Sequence, residues 1–161
     1  MEPLEKDFTE TAICGVKIQP LRIIPTNGGP VLHLLRSDYA LMPSFPQGFG
    51  EFYFSEVEYL AIKGWKCHKR QSQLFAVPFG KMKVVLYDGR TDSKSFGQIL
   101  EITIGRPDNY CLLSIPTNIW YSFKAESQPS ALLINCANIP HDPNESTNLP
   151  LNTEEIPYVW D

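Results

Sequence analysis

The sequence predicts an all-β protein, built as a sandwich or barrel of short strands. Apolar and polar residues alternate over several short segments. Proline and glycine, at 14 and 10 residues, punctuate the chain between those segments. No segment has the periodicity of a convincing amphipathic helix. Strands at such regular spacing, joined by short turns, are typical of β-sandwiches and barrels.

The first predicted strands precede residue 60. Residues 16–24 alternate apolar and polar side chains around a central proline, and Asn-Gly-Gly at 27–29 supplies a turn that needs positive φ. Residues 31–35 form the next predicted strand. A loop rich in proline and glycine follows at 42–50. Residues 51–59 then alternate aromatic and polar side chains, which predicts another strand.

The centre of the chain gives the clearest pattern. Residues 74–78 and 82–87 are apolar runs separated by a turn at Gly80, which predicts a hairpin of two buried strands. Further strands are predicted at 98–104, 111–115, 120–123 and 131–136. The C-terminal segment, residues 137–161, is rich in proline, asparagine and glutamate. We expect one helical turn near 142–146 and an apolar end that docks on the barrel.

Length and composition indicate one soluble domain spanning residues 1–161. Hydrophobic residues make up 43% of the chain and charged residues 20%, as in ordinary globular proteins. The net charge of −4 argues against a nucleic-acid partner, since affinity for phosphate backbones needs clustered lysine and arginine. No apolar run is long enough for a membrane span and the first residues lack a leader pattern, which predicts a cytoplasmic protein without a membrane partner.

The cysteines predict neither a disulfide framework nor a zinc site. They are widely spaced and form no C-x-x-C pair. A free cysteine in an apolar strand packs as a small hydrophobe. The four are Cys14, Cys67, Cys111 and Cys136.

The stretch 64–70, Gly-Trp-Lys-Cys-His-Lys-Arg, carries the most chemical information. Its imidazole, His68, has an ordinary pKa close to neutrality and can accept and return a proton. Nearby cations would lower that pKa and attract an anion. Strand alternation places Lys66, His68 and Arg70 on one face, so we expect Lys66 and Arg70 to be the cationic partners. The alternative is a lone histidine on a solvated strand.

Residues 80–97 resemble the centre of the dTDP-4-dehydrorhamnose 3,5-epimerase family, a jelly-roll cupin. The segment reads Gly-Lys-Met-Lys-Val-Val-Leu-Tyr-Asp-Gly-Arg and, after one threonine, Asp-Ser-Lys-Ser-Phe-Gly. The resemblance continues through 113–116, 120–123 and the Pro-Asn-Glu region, and weakly at 13–16. Together, 64–70, 135–143 and Ile-Pro-Tyr-x-Trp at 156–160 are similar to a divergent branch of epimerase-like proteins.

The resemblance implies a cupin-type double-stranded β-helix without a cofactor. It implies an isomerase that epimerises a nucleotide-linked 4-keto-6-deoxy sugar, as in dTDP-rhamnose and cell-surface polysaccharide biosynthesis. It also implies a homodimer in which the N-terminal strands, within residues 1–50, are exchanged.

The family's catalytic residues match this chain only in part. The family uses a histidine base, a lysine that steadies the enolate and a tyrosine acid. His68 holds the base position, Gln73 the lysine position and His141 the tyrosine position. Tyr121 stands where the family has an imidazole, and the chain ends at Asp161, before the family's carboxylate that orients the base. His141 or Tyr121 is therefore the expected acid.

Several of these residues have a structural alternative. His141 is also consistent with a local turn, and Tyr121 with core packing. Trp65 and Trp120 are either pocket walls or core, while Tyr53 and Gln73 are expected to line the pocket if their faces point inward. We expect His33 to be structural.

A metal cupin needs a closely spaced ligand pair such as His-x-His and a further histidine on a later strand. Here Arg70 stands where the second ligand would be, and the remaining histidines are His33 and His141. We therefore expect no metal.

Two functions remain open from the sequence. The first is the epimerase, with Arg70 and Gln73 steadying the enolate. The second is a catalytically inactive nucleotide-sugar-binding cupin, suggested by the missing lysine, tyrosine and carboxylate. A shared fold does not choose between them.

Overall fold

The computed structural model describes residues 8–39, 45 and 48–161, and these residues contain strands, turns and loops but no helix. Accordingly, the described residues hold no helix long and apolar enough to cross a membrane. The strands are β1 (Thr9–Glu10), β2 (Lys17–Pro20), β3 (Ile23–Ile24), β4 (Val31–Leu32), β5 (Glu51–Glu58), β6 (Ile62–His68), β7 (Gln73–Phe79), β8 (Lys81–Tyr87), β9 (Ile99–Gly105), β10 (Cys111–Ile115), β11 (Trp120–Ala125), β12 (Ser130–Ala137) and β13 (Ser146–Asn148).

The strands form two main antiparallel sheets. The first sheet has the order β1-β2-β10-β7-β12-β5, and the second has the order β13-β6-β11-β8-β9. Strands β3 and β4 pair separately. Apolar side chains of both sheets meet in one buried cluster, for example Phe75 and Leu113 from the first sheet and Val84 and Phe123 from the second. The predicted all-β jelly-roll class is confirmed.

The predicted hairpin at the centre is wrong. Strands β7 and β8 follow each other directly, but β7 pairs with β10 and β12, whereas β8 pairs with β9 and β11. Gly80 lies between them with a φ of 77°, and a Cβ there would lie 2.9 Å from the Cβ of Ala131. The chain therefore turns a corner from one sheet into the other at this glycine, which a side chain would obstruct.

Other elements differ in extent from the prediction. No bounds were predicted for strand β6, although strand alternation was assumed from Lys66 to Arg70; the strand spans Ile62–His68 and ends before Arg70. The helical turn expected at 142–146 is absent from these residues, because Ser146–Asn148 pairs with β6 as strand β13. Most of the loop predicted at 42–50 lies outside the described residues.

The outer face of each sheet is covered by a different part of the chain. Leu74 and Leu112 of the first sheet are buried in one cluster with Tyr39 and Phe45. Trp65 of the second sheet is buried with Val85 and Ile156, and Tyr158 and Trp160 pack on this cluster. The inner faces are thus left to form the core and the cavity described below.

Asp88, directly after β8, fixes the loop that follows this strand. Its buried carboxylate accepts hydrogen bonds from Arg90 Nε at 2.8 Å, Ser93 Oγ at 2.7 Å and Ser95 Oγ at 2.6 Å. Arg90 also donates to the carbonyl of Cys14 at 2.8 Å, which ties the N-terminal region to the same loop. Burial raises the pKa of Asp88, but these donors outweigh it and hold the pKa well below its ordinary range.

Replacing Asp88 with asparagine is expected to lower the free energy of unfolding by about 3 kcal/mol, because it leaves Arg90 with an uncompensated, partly buried charge. The folded-state pKa is depressed, so the contribution is complete above the unfolded pKa of about 4 and is lost as pH falls through the folded pKa. Urea midpoints at neutral and strongly acidic pH measure both effects. The control is Asp92→Asn at an exposed position of the same loop, with a change below about 0.5 kcal/mol. Equal midpoints for the two variants would contradict this role.

Candidate active site

A cavity of about 330 Å³ lies at one end of the core, between the inner faces of the two sheets. The first sheet contributes Tyr53 and Asn135 to its wall, and the second contributes Lys66 and Tyr121. A pocket of this size, with apolar walls and a few convergent polar groups, is typical of a small-molecule site.

Strand alternation along β6 determines which side chains reach this region. Lys66 and His68 point inward, beside Tyr121 of the neighbouring strand, which is paired with Lys66. Gly64 allows the close approach of these two strands: its φ is 123°, and a Cβ there would lie 2.6 Å from the Cβ of Ser122. The register shifts at this point, between Tyr121 and Ser122. Gly64 thus helps to set the position of Tyr121.

His68 is held by hydrogen bonds at both ring nitrogens. The residue is 5% exposed. Its Nδ1 bonds the carboxylate of Glu145, and its Nε2 lies 2.9 Å from the hydroxyl of Tyr121. The rings of His68 and Tyr121 are nearly parallel, with an angle of 11° between their planes. Both the position and the rotation of the imidazole are therefore fixed.

Glu145 is itself anchored and ionised. Its Oε2 accepts the backbone N–H of Arg70 at 3.0 Å and that of Gln71 at 3.1 Å. Burial raises the pKa of Glu145, but the hydrogen bonds from His68 and the two N–H groups outweigh it, and the pKa lies below its usual value. An ionised carboxylate only accepts hydrogen bonds. Nδ1 of His68 therefore carries a proton and donates a hydrogen bond to Glu145.

This assignment fixes the remaining proton positions around the imidazole. Burial lowers the pKa of His68 below its ordinary value, assisted by the charges of Lys66 and His141 and opposed by Glu145. The ring is therefore neutral at physiological pH, with a lone pair on Nε2. That lone pair accepts the O–H of Tyr121, whose own pKa is raised by burial. The result is a base whose Nε2 is connected to the cavity through a phenol.

A chain of side-chain amides crosses the first sheet beside this base. Gln73 Oε1 accepts a hydrogen bond from Nε2 of Gln71 at 3.2 Å and another from Nδ2 of Asn135 at 2.6 Å. The same Nδ2 donates its second proton to the hydroxyl of Tyr53 at 2.7 Å. The hydroxyl of Tyr121 lies 3.4 Å from the same Oε1, so the carbonyl of Gln73 is occupied by protein donors and does not face a ligand.

Five of the nine residues predicted for the site come together here. They are Tyr53, Lys66, His68, Gln73 and Tyr121.

The other four residues lie elsewhere. Arg70 follows the end of β6, so strand alternation does not apply to it, and its side chain is 61% exposed and paired with Asp142. Trp65 is fully buried on the outer face of the second sheet. Trp120 lines a separate groove of about 770 Å³ together with Arg90. His141 is exposed on the loop that leads to Glu145.

Sequence reasoning missed Glu145, Gln71 and Asn135. In the sequence analysis the carboxylate that orients the base counts as missing, but the carboxylate of Glu145 bonds Nδ1 of His68. Asn135 could have been found from the sequence. It occupies an inward-facing position between Leu133 and Ala137, where an apolar strand has no structural need for an amide. In the parts of the chain that the structure describes, no three His, Cys, Asp or Glu side chains are grouped to hold a metal.

The chain is similar to proteins named as a sugar isomerase, a polysaccharide biosynthesis protein and a sugar epimerase. A dTDP sugar isomerase from Desulfovibrio desulfuricans G20 is 47% identical, with a TM-score of 0.88 and 92% of each chain covered. The spore coat polysaccharide biosynthesis protein SpsL of Bacillus subtilis is 29% identical over 92% of this chain and 96% of that protein. A dTDP-4-dehydrorhamnose 3,5-epimerase from Bacillus anthracis, crystallised with TDP and PPi, shares the fold at 19% identity and a TM-score of 0.80, over 96% of this chain and 89% of that one. No protein-family model matches the chain.

Proposed function

We propose that this chain, which belongs to the family of that dTDP sugar isomerase, epimerises a nucleotide-linked 4-keto-6-deoxy sugar by removing and returning a proton next to the ketone. The observation that carries this proposal is the Glu145–His68–Tyr121 arrangement at the cavity wall. A buried neutral imidazole with its Nδ1 proton held by a carboxylate is arranged to accept a proton at Nε2. The 47% identical dTDP sugar isomerase supports the substrate class.

Tyr121 is the proposed contact between the base and the sugar. The cavity is lined by Tyr121, whereas His68 lies behind its hydroxyl. The proton leaves the carbon next to the ketone for the Tyr121 oxygen while the Tyr121 proton moves to Nε2 of His68. The electron pair of the broken C–H bond becomes the enolate, and Glu145 stabilises the imidazolium. No free phenolate forms at Tyr121, in accord with its raised pKa.

Lys66 is the proposed stabiliser of the enolate oxygen. It lines the cavity and is close enough to His68 to lower the pKa of that ring. The other lysine in the wall, Lys63, already donates to Ser55 Oγ at 2.9 Å and to the carbonyl of Glu56 at 2.8 Å. A cation near a developing oxyanion is worth more in a cavity that excludes water. Lys66 therefore replaces the cation that Gln73 lacks.

Glu145 also favours one of the two functions that the sequence left open. The inactive nucleotide-sugar-binding alternative was motivated in part by the missing orienting carboxylate, which Glu145 provides. An anchored base with an adjacent cation favours the enzyme. Side chains alone perform the proposed proton removal, so we propose that the reaction uses no cofactor, and its substrate class implies a cytoplasmic location.

Solvent exchange tests the proposed function directly. In deuterated water, the wild-type protein is expected to introduce deuterium next to the ketone of a dTDP-linked 4-keto-6-deoxy sugar and to form its epimer, measured by NMR. The same sugar without the nucleotide is the control for specificity. If no nucleotide-linked keto sugar exchanges, the protein does not perform this reaction.

Replacing Tyr121 with phenylalanine is expected to slow exchange by about 100-fold, because the path from the sugar to Nε2 of His68 is broken. Water in place of the hydroxyl would retain part of the connection, so the loss stays below that for His68 itself. Exchange rates and melting temperatures measure the effect, with the exposed Tyr59→Phe as control. An unchanged exchange rate would remove Tyr121 from the path.

We also propose a homodimer. Phe52 and Phe54 on β5 are 54% and 63% exposed, and β5 is the last strand of the first sheet. Exposed aromatic side chains on an edge strand are typical of a contact surface. The N-terminal segment, residues 1–50, is the proposed exchanged element. Light scattering at micromolar concentration is expected to give twice the monomer mass for wild type and a lower mass for Phe54→Glu. A monomeric wild type would contradict the dimer.

A further inference from the structure

Strand β6 contains a bulge directly beside the proposed proton path. Tyr121 of β11 is opposite Lys66 of β6. The next residue of β11, Ser122, is opposite Gly64, so Trp65 of β6 has no partner on β11. An extra residue in one strand of a pair is a bulge, and a bulge changes the direction of the side chains around it. The position of Tyr121, the proposed contact between base and sugar, therefore depends on this bulge.

The side chains on either side of the bulge show its effect. Lys63 and Lys66 both line the cavity, although they are three residues apart. A regular strand would place residues three apart on opposite faces. A shift of the strands at this point would turn one set of side chains away from the cavity. The bulge must therefore be held in one arrangement.

The C-terminal segment, residues 149–161, holds the bulged residue from the outer face of the sheet. The N–H of Trp65 donates to the carbonyl of Leu149 at 3.2 Å, and the N–H of Leu149 donates to the carbonyl of Trp65 at 3.1 Å. The indole of Trp65 is fully buried, and the ring of Tyr158 packs edge-on against it with centroids 6.1 Å apart. This segment therefore fixes both the backbone and the side chain of Trp65.

The same segment holds the other side of the bulge through Trp160. Its indole Nε1 donates to Oγ of Ser122 at 3.0 Å, and Ser122 is fully buried. The ring of Trp160 packs edge-on against Tyr158, with centroids 5.3 Å apart. The Nζ atoms of Lys83 and Lys124 lie 5.5 and 5.9 Å from its centroid. The indole is therefore held in place where it contacts Ser122.

We propose that Trp160 is a positioning residue for Tyr121, a role that rests on the proposed epimerase function. Trp160 packs on the outer face of the second sheet and acts through β11. Its hydrogen bond fixes Ser122, and the adjacent Tyr121 points to the opposite face on the same backbone. There the hydroxyl of Tyr121 lies 2.9 Å from Nε2 of His68. Without the bond to Ser122, β11 shifts at the bulge and the phenol leaves the path between sugar and imidazole.

Trp160→Phe removes the indole N–H and keeps an aromatic ring at this position. We expect the exchange rate at saturating sugar to fall by about tenfold or more with an unchanged KM, because a small displacement of a reacting group is costly. NMR of a dTDP-linked 4-keto-6-deoxy sugar in deuterated water measures the rate, and a melting temperature shows whether the variant is folded. Val159→Ala, at a neighbouring position that is 89% exposed, is the matched control and should match wild type.

A double variant distinguishes positioning from a general loss of structure. Tyr121→Phe protein has no phenol to position, so adding Trp160→Phe to it should change the exchange rate by less than about twofold. A purely structural role of Trp160 would lower the rate by the same factor with and without the Tyr121 hydroxyl.

The hydrogen bond between Tyr121 and His68 provides a readout without substrate. With isotope-labelled histidine, the NMR chemical shift of Nε2 reports whether its lone pair accepts the O–H of Tyr121. Trp160→Phe is expected to move this shift towards its value in Tyr121→Phe protein. The proposal is overturned if Trp160→Phe leaves the Nε2 shift or the exchange rate at the wild-type value, or if exchange falls equally in both backgrounds. Absence of exchange by the wild type would instead overturn the epimerase function, and the Nε2 shift would still show whether Trp160 positions Tyr121.

Discussion

Replacing His68 with asparagine is expected to slow deuterium exchange into the keto sugar by about 10,000-fold, the upper range for the loss of a general base. Asparagine is close in size and its amide can still donate to Glu145, but it cannot take up a proton at neutral pH. Inversion should fall with exchange, because both require the enolate. Exchange and epimer formation are measured by NMR with purified variant and wild type.

His33→Asn is the matched control, since His33 lies in the N-terminal segment, where its backbone carbonyl accepts the hydroxyl of Tyr110. It should retain exchange within about twofold of wild type. A melting temperature for each variant separates loss of base from loss of fold. If exchange in the folded His68→Asn protein stays within about tenfold of wild type, another group is the base and the proposed proton path is incorrect.

The fold class was predictable because two-residue alternation and turn residues are local signals. Strands at 111–115 and 131–136 were located to within a residue for this reason. Pairing is not local. The apolar runs on either side of Gly80 have the pattern of a hairpin, yet each pairs with strands distant in sequence. The same residue types support a tight hairpin and a corner between sheets, so the pattern alone does not distinguish them.

The base was predictable, whereas its partner was not. His68 was found because imidazole is rare and flanked here by cations, and because the family position matches. Glu145 lies 77 residues later, and it reaches His68 because β13 pairs with β6 with Ser146 opposite His68. That pairing follows a proline-rich segment with no strand pattern. Arg70 shows the reverse case: alternation was extended beyond the end of a strand, where it no longer applies.

Glu145 leads to the second large prediction. Replacing it with glutamine is expected to slow exchange by about 1,000-fold, within the range for loss of base function. The new amide can keep its oxygen on the backbone N–H groups of Arg70 and Gln71, which places its nitrogen against Nδ1 of His68. An N–H there forces Nδ1 to accept, so the ring proton moves to Nε2. The imidazole then faces Tyr121 with a donor instead of a lone pair.

The pH dependence distinguishes this tautomer effect from a general loss of structure. Burial already lowers the pKa of His68, and Glu145 opposes this, so removing the carboxylate lowers that pKa further. The acidic limb of the exchange rate, which lies below the ordinary histidine pKa of 6.5 in wild type, should shift to still lower pH in Glu145→Gln. Glu145→Asp keeps the charge and should recover part of the rate, and the exposed Glu154→Gln should match wild type. An acidic limb that stays in place or moves to higher pH would show that Glu145 does not act through the imidazole.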